Sequence, residues 1–134
     1  TGLRLRCALP HFSRCGLDLT AYIDGNAGLT SGGAPRESDS WQINWSFASP
    51  LEFLPGPWSL EGHIEYIASR RNERGHSGGW GVLAQPQLRL DLGQLLRQKS
   101  QRLYIGIEWQ TWLNKLGATQ TDEHVAQALI VWRF

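Results

Sequence analysis

The sequence predicts an all-β fold, an antiparallel meander of about seven strands. Three observations carry this. Apolar and polar residues alternate with period two along most of the chain, and no stretch holds a helical period to rival it. Residues that favour strands are abundant, with seven Trp, three Tyr and four Phe. Fifteen Gly are available for the turns between the alternating segments.

Taken in order, Gly2 to Leu9 alternates weakly, with Leu3, Leu5, Cys7 and Leu9 against Arg4 and Arg6. After a turn at Pro10, Leu17, Leu19, Ala21 and Ile23 share one face, and Asp18, Thr20, Tyr22 and Asp24 the other. A glycine-rich polar loop spans 25–38. The strand from about Asp39 to Ala48 then sets Trp41, Ile43, Trp45 and Phe47 against Gln42, Asn44 and Ser46. Pro50, Pro55, Gly56 and Pro57 mark the next turn. From Trp58 the apolar set is Leu60, Gly62, Ile64, Tyr66 and Ala68, opposite Ser59, Glu61, His63 and Glu65.

The charged segment 70–79 reads as a loop. Trp80, Val82, Ala84, Leu88, Leu90 and Leu92 follow, against Gln85, Gln87, Arg89 and Asp91. Pro86 cannot donate to a ladder, so a bulge or a locally broken pairing is expected there. Residues 93–101 turn the chain, and Leu103, Ile105, Ile107, Trp109 and Leu113 oppose Arg102, Tyr104, Glu108, Gln110 and Trp112. After a loop over 114–123 the last strand puts Ala126, Ala128, Ile130, Trp132 and Phe134 on a wholly apolar face. Val125, Gln127, Leu129, Val131 and Arg133 form its mixed face.

The length of 134 residues suits a single domain over 1–134, and a formal charge of +1 argues against a nucleic-acid partner. Only Lys99 and Lys115 are lysines among thirteen basic residues, and both fall in expected turns rather than strands. No apolar run reaches the length of a membrane helix, which leaves a barrel open because barrel strands hide their hydrophobicity in alternation. There is no Met and no basic-then-apolar leader, so the sequence reads as that of a mature or truncated chain. Cys7 and Cys15 flank the Pro10 turn; a disulfide and two unpaired thiols both fit, and the spacing has no metal-site pattern.

Alternation alone does not decide whether the apolar face points in, as in a soluble barrel or sandwich, or out toward lipid. Three features favour outward. Segments 25–38, 70–79 and 114–123 are polar, while the turns near 10–15, 49–57 and 93–101 are more compact or apolar. Bulky Trp58, Trp80, Trp132 and Phe134 fall near strand ends, where aromatic girdles of membrane barrels sit. The polar face, rich in Arg, Glu, Asp, Gln and Tyr, suits a wet lumen. Seven strands fall short of the even number, eight or more, of bacterial single-chain barrels. The expectation is therefore the carboxyl-terminal portion of a longer transmembrane β-barrel.

Specific residues then point to a family. The run Tyr104-x-Gly106-x-Glu108-Trp109-Gln110-x-Trp112-x-Asn114-Lys115-x-Gly117, followed by Glu123, Gln127-Ala128-Leu129 and Phe134, resembles the end of the nucleoside-specific outer-membrane channels (Tsx-type, with OmpK-like phage-receptor relatives). Pro86-x-Leu88-x-Leu90-Asp91-Leu92-Gly93 is similar to the preceding strand of that family. The resemblance implies about seven strands of a barrel of about twelve in the bacterial outer membrane, with a narrow lumen for small polar solutes such as nucleosides. It implies passive diffusion without a cofactor. Outer-membrane lipid, the barrel-assembly machinery and phages docking on the loops are the implied partners. Trp132 and Phe134 would serve as the assembly signal, and equally as interface anchors.

The residues expected to line such a lumen are Glu61, His63, Glu65, Gln85, Gln87, Arg89, Asp91, Arg102, Tyr104, Glu108, Gln110, Trp112, Gln127 and Arg133. Glu61, His63 and Glu65 stand too far apart along one strand face for a metal or acid–base site, since same-face neighbours are separated by nearly 7 Å. Arg89, Asp91, Arg102, Glu108 and Arg133 suit cross-strand charge pairs, which in a narrow pore also set what passes. Tyr104 and Trp112 fill the wall or stack on bases. No nucleophile elbow or triad context is visible, so no enzyme, metal or cofactor is expected. The alternative function is a soluble β-barrel or sandwich binding a small apolar ligand.

Overall fold

A computed structural model describes residues 1–98 and 101–134. Lys99 lies outside the described residues. The strands are β1 (Gly2–Arg6), β2 (Arg14–Tyr22), β3 (Ser40–Pro50), β4 (Trp58–Ile67), β5 (Arg70–Arg71), β6 (Ser77–Gly78), β7 (Gly81–Ala84), β8 (Gln87–Asp91), β9 (Leu103–Leu113) and β10 (Glu123–Trp132), with a short α-helical turn, α1 (Leu92–Leu95), and 3-10 turns at Leu29–Ser31 and Lys115–Gly117. One sheet runs from β1 through β2, β3 and β4 to β7 and β8, then to β9 and β10, antiparallel throughout. The fold is therefore an all-β antiparallel meander.

β1 ends at Arg6, three residues before the alternation does, because the turn around Pro10 begins early. β2 starts at Arg14 rather than Leu17, since Arg14, Cys15 and Gly16 continue its ladder with β3. The segment 70–79 contains a small β5–β6 hairpin as well as loop. Its turn is set by Asn72, whose Oδ1 accepts from the backbone N–H groups of Arg74 and His76, and by Gly75 at φ +78°.

Pro86 breaks the pairing without shifting it. β7 and β8 keep one register with β4 (Ile64 opposite Ala84, Glu61 opposite Gln87) and one with β9 (Ala84 opposite Thr111, Gln87 opposite Glu108). Across the gap the Gln85 N–H still donates to His63 O at 2.9 Å, and Pro86 O accepts from Trp109 N at 2.9 Å. The two act as one strand with a local interruption and no bulge. Glycine makes room for this strand on both sides. A Cβ on Gly62 would stand 2.4 Å from Gln85 O, and one on Gly106 2.0 Å from Leu88 O. Any other residue at either position forces the backbones apart.

The sheet rolls around its polar side. Laid flat, Arg133 and Glu61 would be about 24 Å apart, counting three interstrand steps and six residues along the strand. Their side chains instead meet at 3.4 Å. The strands between them must curl so that the polar face is concave. β1 and β10 are the two edges and do not pair with each other among the described residues, so the rolled sheet is open.

Burial is inverted relative to a soluble domain. On the convex face Leu3, Leu5, Leu19, Trp41, Ile64, Ile105, Ile107, Trp109, Ile130 and Trp132 are exposed. On the concave face the carboxylates of Glu61 and Asp91 are buried, at 8% and 4% exposure. Curvature causes this, because it crowds side chains on the inside and spreads them on the outside. Several aromatics of the convex face lie toward the two strand ends, while Trp45 and Trp109 sit mid-strand. Trp41, Tyr66 and Trp80 follow one another at one end, Trp41 tilted against Tyr66 at 5.3 Å and Tyr66 stacked on Trp80 at 6.3 Å. Phe12 and Phe47 lie toward the other, packed against Trp45, and Trp132 and Phe134 also stack there at 6.0 Å.

Candidate functional site

The concave face is ordered in rows. Because each ladder is in register, residues directly across from one another form continuous lines perpendicular to the strands. One such line reads Arg14, Ala48, Glu61, Gln87, Glu108, Gln127 across β2, β3, β4, β8, β9 and β10. The Arg89 Nη1 donates to Glu61 Oε2 at 2.8 Å, and its Nε donates to Gln87 Oε1 at 2.9 Å. Gln87 Nε2 donates to Glu108 Oε2, and Gln127 Nε2 donates to Glu108 Oε1 at 2.7 Å. Ion pairing and amide bonding thus tie four strands, β4, β8, β9 and β10, into a single polar belt.

Glu61 is the centre of this belt. Besides Arg89, its Oε2 meets Arg133 Nη2 at 3.4 Å and Arg14 Nη2 at 3.8 Å. The Glu61 and Arg89 side chains are only 10% and 13% exposed, whereas Arg14 and Arg133 reach into solvent at 61% and 45%. The first pair is therefore the strong one, and the two outer arginines contribute little to stability. Three guanidinium groups around one carboxylate leave an excess of positive charge at this point of the wall. Arg133 also lies 4.9 Å above the Tyr104 ring and donates to its hydroxyl at 3.5 Å.

The next line of the same face carries Ser46, His63, Gln85 and Gln110, with Gln85 Nε2 donating to Gln110 Oε1 at 3.2 Å. Beyond it, Glu65 faces Leu83, and Leu83 faces Trp112. Thirteen of the fourteen expected residues thus lie along the concave side: Glu61, His63, Glu65, Gln85, Gln87, Arg89, Asp91, Tyr104, Glu108, Gln110, Trp112, Gln127 and Arg133. Arg102 precedes β9, is exposed, and joins the sheet through its backbone carbonyl, which accepts from Arg133 N at 2.7 Å.

The charge pairing differs from the sequence expectation in three places, the first being Arg102, which makes no ion pair among the described residues. Glu108 is held by two glutamines rather than by an arginine. Asp91 is a structural cap: its carboxylate accepts from the N–H groups of Gln94 at 3.0 Å and Gln101 at 2.6 Å, fixing the turn into α1. Arg14 is the member that sequence reading missed, because it was placed in the Pro10 turn. Counting back by twos from Asp18 puts it on the polar face, so the signal was present.

Two hollows mark the ends of the concave face. At the loop end a cavity of about 490 Å³ is lined by Arg70, His76, Trp112 and Leu116. At the turn end one of about 520 Å³ is lined by Arg14, Glu61, Asp91, Tyr104 and Arg133. Tyr104 and Trp112 therefore stand at opposite ends, each with a cation beside its ring, Arg133 for Tyr104 and Lys115 at 5.3 Å for Trp112. Among the described residues no three His, Cys, Asp or Glu side chains stand close enough to hold a metal ion.

The loop end is itself ordered. Glu37 bridges to Asn72, Ser38 N donates to Arg71 O at 2.7 Å, and Glu73 N donates to Arg36 O at 3.0 Å. Asp24 anchors the long loop by accepting from the N–H groups of Glu37 and Asn26. These backbone donors hold its carboxyl below the usual carboxylate range. Arg70 lies 3.9 Å over the Tyr22 ring and 3.6 Å from Glu37. What the fold and this face together define is a rolled antiparallel sheet, polar and charged within, apolar and aromatic without. Comparison with family profiles, curated proteins and solved structures gives no match.

Proposed function

We propose that this chain is part of the wall of a bacterial outer-membrane β-barrel that passes small polar solutes by passive diffusion. The observation that carries the reading is the inversion of burial: Ile107, Ile130 and Trp132 are exposed while Glu61 and Asp91 are buried. In water such a convex face is costly, at roughly 25 cal/mol for each Å² of apolar surface left exposed. Against hydrocarbon the cost vanishes, and aromatics near both strand ends fit the two interfaces. The free edges of β1 and β10 then need partner strands, because each unpaired backbone group in lipid costs several kcal/mol. Residues 1–134 would thus supply about seven strands of a barrel of about twelve, as in the nucleoside-specific channels the sequence resembles.

Solutes would move along the strands and across the belt centred on Glu61, between the hollows carrying Trp112 and Tyr104. Nucleosides are the solute class the resemblance suggests, with the two aromatic rings as stacking sites for bases. Trp132 and Phe134 would be read by the barrel-assembly machinery, and the docked loops would face the outside, where a phage could bind. No bond is made or broken in this reading. The soluble alternative requires the face from Leu3 to Trp132 to be a core, whereas many of its large residues are exposed and, among the described residues, only Cys15 and Phe47 are buried there.

The test is the physical state of the full-length protein. Partition into detergent micelles, resistance to SDS until heated, and nucleoside-sensitive conductance in planar bilayers are the expected results. A folded, monodisperse species in plain buffer would overturn the channel.

A further inference from the structure

We propose that Cys7 and Cys15 form a reversible intramolecular disulfide, closed by thiol–disulfide exchange, that fastens the end of the edge strand β1 to β2. The inference is independent of whether the sheet lines a channel. It begins with register. β1 and β2 pair down to Arg6 opposite Gly16, so the next pair in the ladder is Cys7 opposite Cys15. Cys7 N donates to Cys15 O at 3.0 Å, which continues the ladder one step beyond β1. Residues opposed in this way carry their side chains on the same face, with Cα atoms about 5.5 Å apart in a hydrogen-bonded pair. That separation falls within the range of about 4.4–6.8 Å that disulfides use. Both residues are free thiols here, and the ladder bond between their main chains sets the two side chains beside each other.

The surroundings assign different roles to the two. Cys15 is buried, with the Trp45 indole N–H donating to its sulfur at 3.5 Å. Cys7 is more accessible and lies beyond the end of β1. Its thiol is held above the ordinary value, first by donating to Cys15 and then by burial, so its thiolate is scarce and uncatalysed oxidation is slow. Exchange with a disulfide reagent supplies the oxidant. The Cys7 thiolate attacks one sulfur of oxidised glutathione, or of a dithiol oxidase in its disulfide form, and expels one thiolate. Cys15 then gives up its proton and attacks the Cys7 sulfur of the mixed disulfide, expelling the second thiolate carrier. Two protein thiols are oxidised to one disulfide, and the reagent's disulfide is reduced to two thiols.

The bond has a structural purpose at this place. Among the described residues β1 pairs with β2 alone, and its side chains add the exposed Arg4–Asp18 pair at 2.6 Å. Exposed pairs contribute little, so an edge strand held this way frays readily. A covalent link at its far end closes the seven-residue turn between the cysteines and keeps the edge in register.

The experiment treats the folded full chain in detergent with oxidised glutathione, followed by alkylation and mass spectrometry. The expected product is a monomer lighter by two hydrogens, with neither cysteine alkylated, and with altered emission from Trp45 beside the new bond. Reductant restores both alkylation sites. A Cys15→Ser chain should stop at the glutathione adduct on Cys7, because the resolving thiol is gone. Free thiols after oxidation, a lasting glutathione adduct on the unaltered chain, or disulfide-linked dimers would each overturn the proposal.

Discussion

Replacing Glu61 by Gln tests the polar belt at its centre. The substitution keeps the shape of the side chain and removes the one carboxylate that Arg89, Arg133 and Arg14 share. Breaking a buried ion pair by removing one partner costs about 3–5 kcal/mol. Arg89 keeps its bond to Gln87, and the new amide oxygen can still accept a hydrogen bond, which lowers the expected loss to about 2–3 kcal/mol. That corresponds to a rise of roughly 30-fold or more in the unfolding equilibrium constant. Urea titration in detergent micelles, followed by tryptophan emission, measures it. Adding Arg89→Gln should return at least about 1 kcal/mol, since the unpaired cation is removed along with its partner. Strictly additive losses, or a single-variant loss below about 0.5 kcal/mol, would refute the central role of this pair. In a planar bilayer Glu61→Gln should move the reversal potential toward anion selectivity, because three guanidinium groups then lack their counter-charge. An unchanged potential would mean that ions do not pass this belt.

Three further outcomes follow from the same geometry. Ile107→Arg on the convex face should weaken membrane insertion by about 2–4 kcal/mol near mid-depth, whereas in plain water an exposed position tolerates Arg; an unaltered yield of heat-modifiable protein would count against the lipid-facing assignment. Gly106→Val drives a side chain into Leu88 O and should cost more than the same change at Gly25, which has open space around it; comparing folded yields of the two variants decides it. Asp24 is held ionised below its ordinary range in the folded loop, so its contribution is present at neutral pH and is lost only as pH falls through that lowered value. Limited proteolysis of the segment 25–38 should therefore stay slow at neutral pH and accelerate in strong acid, and Asp24→Asn should make cleavage faster at neutral pH and remove this acid dependence.

The strands and their two faces were readable from the period-two pattern because every long strand sits in one sheet with one kind of surroundings on each side. Pro86 was rightly expected to interrupt pairing, but the unbroken register across it depends on Gly62 and Gly106 on the flanking strands. Single-strand reasoning does not see those neighbours. The β5–β6 hairpin escaped because two-residue strands carry no alternation. Alternation is symmetric between the faces, so the inward side was read from loop character, end aromatics and the polar residues instead; the roll itself shows only in the contact of Arg133 with Glu61. That same roll gathers Arg14 of β2, Arg89 of β8 and Arg133, just past β10, from positions widely separated in sequence. Asp91 was legible in retrospect, since Asp91-x-x-Gln94 is a helix-start pattern, yet it lay within a polar alternation that drew the reading toward charge pairing.

The docking of the two long loops on one another has a consequence for anything that approaches from that side. Segments 36–38 and 71–73 are stitched together through main-chain bonds, with Leu29 N also donating to Glu73. A visitor therefore meets a composite surface, contributed by stretches more than thirty positions apart, rather than two independent tethers. Peptides copied from either stretch alone would lack the shape, so an antibody raised against the intact rim should ignore them. Shortening one loop would also alter the surface presented by the other.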